Sequence, residues 1–369
     1  MAALVVCLDG TNQEKTQAYP TNVALLFDAL GGVAADAGNG SFETDLPAGG
    51  GKGKYLPGVG SQGSLVLRVL GNVFGDGIAE PIVRGYTFLS RNHQAGDSIY
   101  IVGFSRGAAA ARALAGLVVA QGLLATAGYD PTDKDAAYAR AVAGWYQYRL
   151  PRPDLAQQAR LAVIGGTIGQ PVPKLGPADF TAPPPIQAVG VFDTVSSLGA
   201  PHLDSDGDAK YDFSICDTAL NPAVANGFHA LSADEMRDLF APTFWADRAG
   251  VVQHLFAGSH SNVGGGYPER GLSDGALAWM LARLEGAGLA CDGALVLPPI
   301  RPNAVDVARD DGAIFPFNNT PRRPRAFPVC ASADPFLRAR LGQPCETLPD
   351  PAPHAYQPVG RYADGSAVA

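Results

Sequence analysis

The sequence predicts an α/β fold built on a doubly wound, mainly parallel sheet with loop and helical insertions. Three observations predict it. Short runs of β-branched and apolar residues recur along the chain, stretches of helical length alternate with them, and most of the apolar runs end in turns rich in Gly or Asp. The chain has 369 residues, 47% hydrophobic and 17% charged, which is enough apolar material for a large core and excludes disorder as the default. The 45 Gly and 30 Pro imply many tight turns and long excursions around that core.

Ala3 to Leu8 is a short buried strand running into the turn Asp9-Gly10-Thr11. Asn22 to Leu30 has helical character. Residues 31–63 are rich in Gly and polar residues and read as a long loop, an insertion that is either functional or mobile. Ile78 to Asn92 has helical spacing, and Ser98 to Val102 is a second buried strand. Ala108 to Leu124 is a helix of small residues suited to close packing on a sheet. Pro131 to Arg152 is helical, and residues 151–185 form a proline-interrupted insertion. Gln187 to Phe192 and Val251 to Ala257 read as two more strands, and Ser273 to Ala287 as a helix. Residues 1–290 thus form the predicted catalytic domain, and residues 291–369, rich in Pro and Arg, a segment wrapping it. One or both insertions are expected to overhang Ser105 and form an apolar, lid-like acyl pocket.

A net charge of −8 leaves no basic stripe for nucleic acid and opposes adsorption to anionic lipid, while hydrophobic contact with a membrane surface remains compatible. The N-terminus enters a strand without the pattern of a secretory signal, which predicts a cytoplasmic location; export by a signal-independent system is compatible with it. The apolar stretch Ile99 to Leu124 is interrupted by Ser105, Arg106 and Arg112, so it does not read as a membrane span. The five cysteines (Cys7, Cys216, Cys291, Cys330, Cys345) lack metal-ligand spacing and read as thiols, with Cys330–Cys345 a candidate exception. No metal or cofactor is predicted, and the oligomeric state is left open.

The chemistry centres on Gly103-Phe104-Ser105-Arg106-Gly107, a G-x-S-x-G sequence between a buried strand and a small-residue helix. A serine at so sharp a turn sits in strained backbone, and glycines on either side avoid collision with strand and helix. Amides at the following helix N-terminus face a developing oxyanion. The context predicts a sheet of the α/β-hydrolase type, with Ser105 as nucleophile and Gly103 and Gly107 as the elbow.

A serine nucleophile needs a base, and the base an orienting carboxylate, in the chain order Ser, Asp or Glu, His. Asp193, directly after Ala188 to Phe192, is the candidate acid. His260, in the post-strand loop Ala257 to Tyr267, is the candidate base. His93 comes too early in the order, and His202, His229, His254 and His354 lack the polar, glycine-rich context. Asp204, Asp206 and Asp208 form an acidic run more suited to a solvated loop or a surface cation site. For the oxyanion, the amides of Gly10 or Thr11 would pair with that of Arg106; the equal alternative is that Asp9 only caps its own turn through an Asx hydrogen bond.

Several of these segments together resemble a known family. Leu8-Asp9-Gly10-Thr11-Asn12, Thr21-Asn22-Val23, Pro57-Gly58-Val59-Gly60, the serine motif with Ala108, Ala111 and Arg112, Val191 to Val195 with Leu198-Gly199, Phe228 to Arg237, and His260 to Tyr267 carry the likeness. They are similar, in order and over residues 3–285, to the α/β-hydrolase domain of the first class of type VI secretion lipase effectors. The resemblance implies a triad falling on Ser105, Asp193 and His260, and phospholipase A-like activity in the effector branch. The family more often has Asp where this chain has Asn262, and the secreted effectors carry a large membrane-anchoring module for which this chain is short.

The expected activity is therefore hydrolysis of carboxylic esters, of lipids or phospholipids, through a Ser–His–Asp triad and an acyl-enzyme. A small-ester esterase or amidase, and a non-catalytic binding protein on a hydrolase fold, are the alternatives. Cys7-Leu8-Asp9-Gly10-Thr11 resembles the D-x-D-G-T signature of haloacid-dehalogenase-like phosphatases, but Cys7 stands where their nucleophilic Asp belongs, which excludes phosphoryl transfer.

Overall fold

The apolar runs pair into one nine-stranded sheet: Ala3–Leu8 (β1), Ala35–Gly38 (β2), Ser41–Asp45 (β3), Lys52–Leu56 (β4), Ser98–Phe104 (β5), Ile186–Phe192 (β6), Val224–Ser232 (β7), Val251–Phe256 (β8) and Ala331–Ala333 (β9). The structure is a computed structural model, which describes residues 2–47, 50–60, 78–149, 171–195, 202–203, 209–210, 218–313 and 321–368. The strand order is β9-β8-β7-β6-β5-β1-β4-β3-β2. Every neighbouring pair from β9 to β4 is parallel, and β4–β3 and β3–β2 are antiparallel.

Seven α-helices lie among the described residues: Asn22–Ala29 (α1), Ala79–Asn92 (α2), Arg106–Gln121 (α3), Lys134–Arg149 (α4), His260–Gly264 (α5), Gly271–Gly286 (α6) and Pro335–Arg340 (α7). Side chains alternate across a strand, so β1 feeds both faces of the sheet. Leu4, Val6 and Leu8 pack with α2, α3 and α4, whereas Val5 and Cys7 pack with α1 and α6. Burial on both faces explains why β1, β5 and β6 are continuous apolar runs. The alanines of α3 let it lie close on the sheet, and its residues 107–111 are all buried.

One difference from the sequence reading follows from where residues sit in the sheet. Residues 31–60, read as a long loop, instead carry three strands, with β4 paired to β1 in register Leu4↔Lys52 to Leu8↔Leu56. β2 is nearly all exposed at the sheet edge, where no apolar residues are required and the strand pattern is therefore lost. β4 and β3 continue the sheet from β1 to the edge strand β2, and residues 61–63 of this insertion lie outside the described residues. Of the second insertion, residues 151–170 lie outside the described residues, and residues 171–185 are irregular apart from a short 3₁₀ turn at Pro177–Asp179.

Beyond residue 290 the chain adds β9 to the sheet edge beside β8. Phe327, Leu337, Cys345, Tyr356 and Val368 share a buried cluster with Leu231 and Leu255 of β7 and β8. Each such fully buried side chain contributes roughly 1.5–3 kcal/mol. No helix of the described residues is long and apolar enough to cross a membrane. Cys7, Cys291, Cys330 and Cys345 are free thiols, so the candidate Cys330–Cys345 bridge is not formed; Cys216 is outside the described residues.

Candidate active site

Parallel register brings the carboxyl ends of β1, β5 and β6 together, with Leu8 opposite Gly103 and Phe104 opposite Phe192. Ser105 follows β5 directly and caps α3 at φ 56° and ψ −125°, a conformation that costs a non-glycine residue about 1–3 kcal/mol. The turn is enforced by contact. A Cβ on Gly103 would lie 2.3 Å from the Gly107 carbonyl oxygen, and a Cβ on Gly107 would lie 2.3 Å from that of Leu8. Both obstacles are backbone, so neither glycine can carry a side chain without moving β1 or α3. The Ser105 N–H donates to the Phe192 carbonyl at 3.1 Å, tying the serine turn to the end of β6.

Asp193 is the next residue after β6, fully buried, with φ 42°. Its N–H donates to Ala230 O at 2.7 Å. Its Oδ2 lies 2.6 Å from His260 Nδ1, and its Oδ1 accepts from the Ser232 N–H at 3.0 Å. A guanidinium completes the set: Arg325 Nη1 donates to Oδ1 at 2.6 Å and Nη2 to Oδ2 at 2.9 Å. Burial raises the Asp193 carboxyl, but the Arg325 charge and the hydrogen bonds from His260 and Arg325 outweigh it and hold the carboxyl well below the usual carboxylate range.

His260 opens α5 after β8, and its ring lies between Phe104 (centroids 4.7 Å apart) and the edge-on ring of Phe240 (4.9 Å). Its N–H donates to Glu235 Oε2 at 3.2 Å. Glu235 is in turn held by Arg237, whose guanidinium lies 3.7 Å from the Phe240 ring centroid. With Nδ1 committed to Asp193, the imidazole presents Nε2, which is buried and has no hydrogen-bond partner among the described residues. The Asp193–His260 pair is thus formed, and a hydrogen bond from Ser105 to Nε2 is not. Ser105 itself is 8% exposed.

On the β1 side, the Gly10 N–H donates to Asp9 Oδ1 at 2.7 Å and is already used. The Thr11 N–H makes no hydrogen bond among the described residues, and its Oγ1 is buried without a partner. Asp9 also accepts from Thr21 Oγ1 and Tyr55 OH, each at 2.6 Å, so it caps its turn and pins α1 and β4 to it. Burial pushes its carboxyl up to about 6 despite these bonds. Gly10 packs on the serine turn: a Cβ there would stand 3.3 Å from Ser105 Cβ and 2.9 Å from the Phe104 ring.

The other candidates lie elsewhere. His229, on β7, accepts the Thr194 N–H at 3.1 Å and is pushed down to about 3 by burial and the nearby Arg112 charge, so it is a neutral brace behind Asp193. His254 binds Asp334 at 2.8 Å, and His354 is exposed. Asp204, Asp206 and Asp208 lie outside the described residues. Asn262 does not contact the imidazole by hydrogen bond; its Oδ1 accepts from the Ser259 and Arg309 N–H groups at 3.2 and 3.0 Å. Arg325 was invisible to motif reading, because it is 132 residues from Asp193 in an Arg-Pro-rich run.

Comparison with known proteins places this geometry in context. A family model described as the catalytic domain of Tle1-like phospholipase effectors of type VI secretion systems matches residues 2–283. "Uncharacterized protein YEL023C" of Saccharomyces cerevisiae is 28% identical over 209 residues, 53% of this chain and 27% of that protein. Among solved structures, an uncharacterized protein from Pseudomonas aeruginosa aligns with TM-score 0.40 and 17% identity over 79% of this chain and 46% of that one. The Tle1 effector bound to the VgrG spike of the type 6 secretion system aligns with TM-score 0.37 and 18% identity over 73% of this chain and 52% of that one. This chain therefore spans about a quarter of the yeast relative and about half of each solved chain.

Proposed function

The chain belongs to the family of Tle1-like phospholipase effector catalytic domains, and from that premise we propose that it is a serine hydrolase of the α/β-hydrolase type that cleaves carboxylic esters, with lipid acyl esters as substrates. The observation that carries the reading is the buried Asp193–His260 pair at 2.6 Å, with the imidazole Nε2 left unpartnered at the sheet end that also holds Ser105.

In this mechanism Ser105 Oγ attacks the ester carbonyl while His260 Nε2 takes its proton. Asp193 holds the Nδ1–H tautomer and stabilises the imidazolium. The Arg106 and Thr11 amides receive the oxyanion, and Gly10 supports them by packing against the serine turn. His260 returns the proton to the leaving alcohol, leaving an acyl-serine. Water, activated by the same imidazole, then releases the acid. Contacts between nucleophile and base are commonly long in the free enzyme and tighten once substrate is bound. No step calls for a metal. The acyl chain favours an apolar cleft, since each buried methylene contributes about 0.8 kcal/mol. The net charge of −8 disfavours anionic headgroups, so neutral and zwitterionic lipids are the preferred class, met by peripheral contact with a membrane.

The test is labelling by a serine-reactive fluorophosphonate, alongside turnover of p-nitrophenyl esters and phospholipids. Wild type is expected to label and to turn over, and a folded Ser105→Ala protein to do neither, with activity down by several orders of magnitude. Equal labelling of Ser105→Ala and wild type would refute the assignment.

A further inference from the structure

We propose that Arg325, supplied by the segment beyond residue 290, is a positioning residue of the hydrolytic site: its two-pronged grip fixes the plane of the Asp193 carboxylate and thereby the direction from which Asp193 meets His260. This rests on the triad reading given above. Arg325 lies outside residues 2–283, the stretch shared with the family model.

The geometry is specific. Both prongs of the guanidinium bind Asp193, at 2.6 and 2.9 Å, and the same two nitrogens also donate to Ser232 O at 2.9 Å and Phe240 O at 2.6 Å. The fork therefore joins the end of β7 and the residue packed edge-on against the imidazole to the acid itself. Only 4% of the Arg325 side chain is exposed. A buried ion pair is weak evidence for stability, because apolar replacements of both partners are often neutral. Here one partner is shared with the imidazole, and a carboxylate held by a planar fork cannot rotate away from Nδ1.

The segment is locked in place near the same loop. Asp234 accepts from the Gly258 N–H at 2.6 Å, just ahead of His260, and from Tyr356 OH and the Val359 N–H at 2.8 and 3.0 Å. The charged and titratable groups facing Asp193 are Arg325, His260 on α5 and His229 on β7; behind them Arg112 on α3 acts on His229, and Glu235, held by Arg237, on His260. Of these Arg325 and His260 act on the carboxylate directly.

The experiment compares the full chain as wild type, Arg325→Lys and Arg325→Ala, with folding followed by near-UV circular dichroism. Readouts are fluorophosphonate labelling and the pH dependence of kcat and kcat/KM on a p-nitrophenyl ester. Arg325→Ala is expected to lose about a hundredfold in kcat with little change in KM. Its acid limb should move up by roughly one pH unit or more, because burial of Asp193 is then opposed only by His260 and the Ser232 N–H and no longer by the Arg325 charge. Added guanidinium should restore at least about a tenth of the lost rate, and Arg325→Lys should fall between the two. If wild type neither labels nor turns over, the hydrolase reading fails and the proposal with it. If wild type is active and folded Arg325→Ala keeps its kcat and acid limb, the proposal alone fails. A folded, inactive Arg325→Ala that ignores guanidinium also overturns it. Should Arg325→Ala not fold, Arg325→Lys decides: an unchanged kcat and acid limb overturn the proposal.

Discussion

Replacing Asp193 by Asn separates the contribution of its charge from that of its shape. The carboxylate accepts from four donors: the Ser232 N–H, His260 Nδ1, and both Arg325 nitrogens. An amide supplies one oxygen for two of them and turns a donor toward the other two. The buried guanidinium also loses its counter-charge. Removing one partner of such a pair costs about 3–5 kcal/mol, and the wrong imidazole tautomer costs on the order of ten-thousand-fold in kcat in comparable triads. Urea unfolding followed by circular dichroism, with ester turnover on the same samples, measures both. The sign with pH is fixed by the depressed carboxyl in the folded state. The stabilisation is fully present above the unfolded value of about 3.9 and is lost as pH falls below it toward the folded one. The gap between wild type and Asp193→Asn should therefore be constant at neutral pH and close under acid. Adding Arg325→Met to Asp193→Asn should recover most of the stability and none of the turnover. A loss under about 1 kcal/mol at neutral pH, with activity within tenfold of wild type, would show that Asp193 is not the acid.

Gly107→Ala should destabilise by at least about 2 kcal/mol in urea unfolding, because its Cβ would press on the Leu8 carbonyl; Gly286→Ala, with nothing within 4 Å of the added carbon, should be neutral or stabilising. Asp9, raised by burial to about 6, binds its proton more tightly folded than unfolded. The Asp9 contribution to stability should thus fall as pH rises from about 4 to about 6, by roughly 2–3 kcal/mol, and Asp9→Asn should flatten the slope by about that amount; an unchanged slope in urea midpoints would refute the assignment.

What could be read from sequence was whatever is buried on both sides. β1, β5 and β6 are uninterrupted apolar runs and were found to within one or two residues, as were α2 and α6. The G-x-S-x-G turn was legible because its glycines are forced by backbone contact, and Asp193 and His260 because they sit where strands end. β7 was missed although it lies between β6 and β8, since Asn226, Gly227 and His229 break its apolar run. Each answers to a tertiary demand: Asn226 binds the Gln187 carbonyl, Gly227 lies against Leu220 and Trp245, and His229 braces Thr194. β2 was missed for want of burial, and β4, though buried, because Lys52, Gly53 and Lys54 leave it no apolar run. Arg325 was missed because no local pattern connects residues 132 apart.

That separation also has a consequence for how the molecule is made. Synthesis proceeds from the N-terminus, and domains fold as their parts emerge. Ser105, Asp193 and His260 are all translated before Arg325 and before β9, which closes one edge of the sheet. Until then the Asp193 carboxylate is without its counter-ion and β8 without its last neighbour. The nascent chain therefore passes through an interval in which Ser105, Asp193 and His260 are present but the Arg325 grip on Asp193 is not. Contacts spanning so many residues close slowly, because a long loop must be ordered before they form. Fixing of the Asp193 carboxylate is thus a late event, coupled to the docking of the segment beyond residue 290.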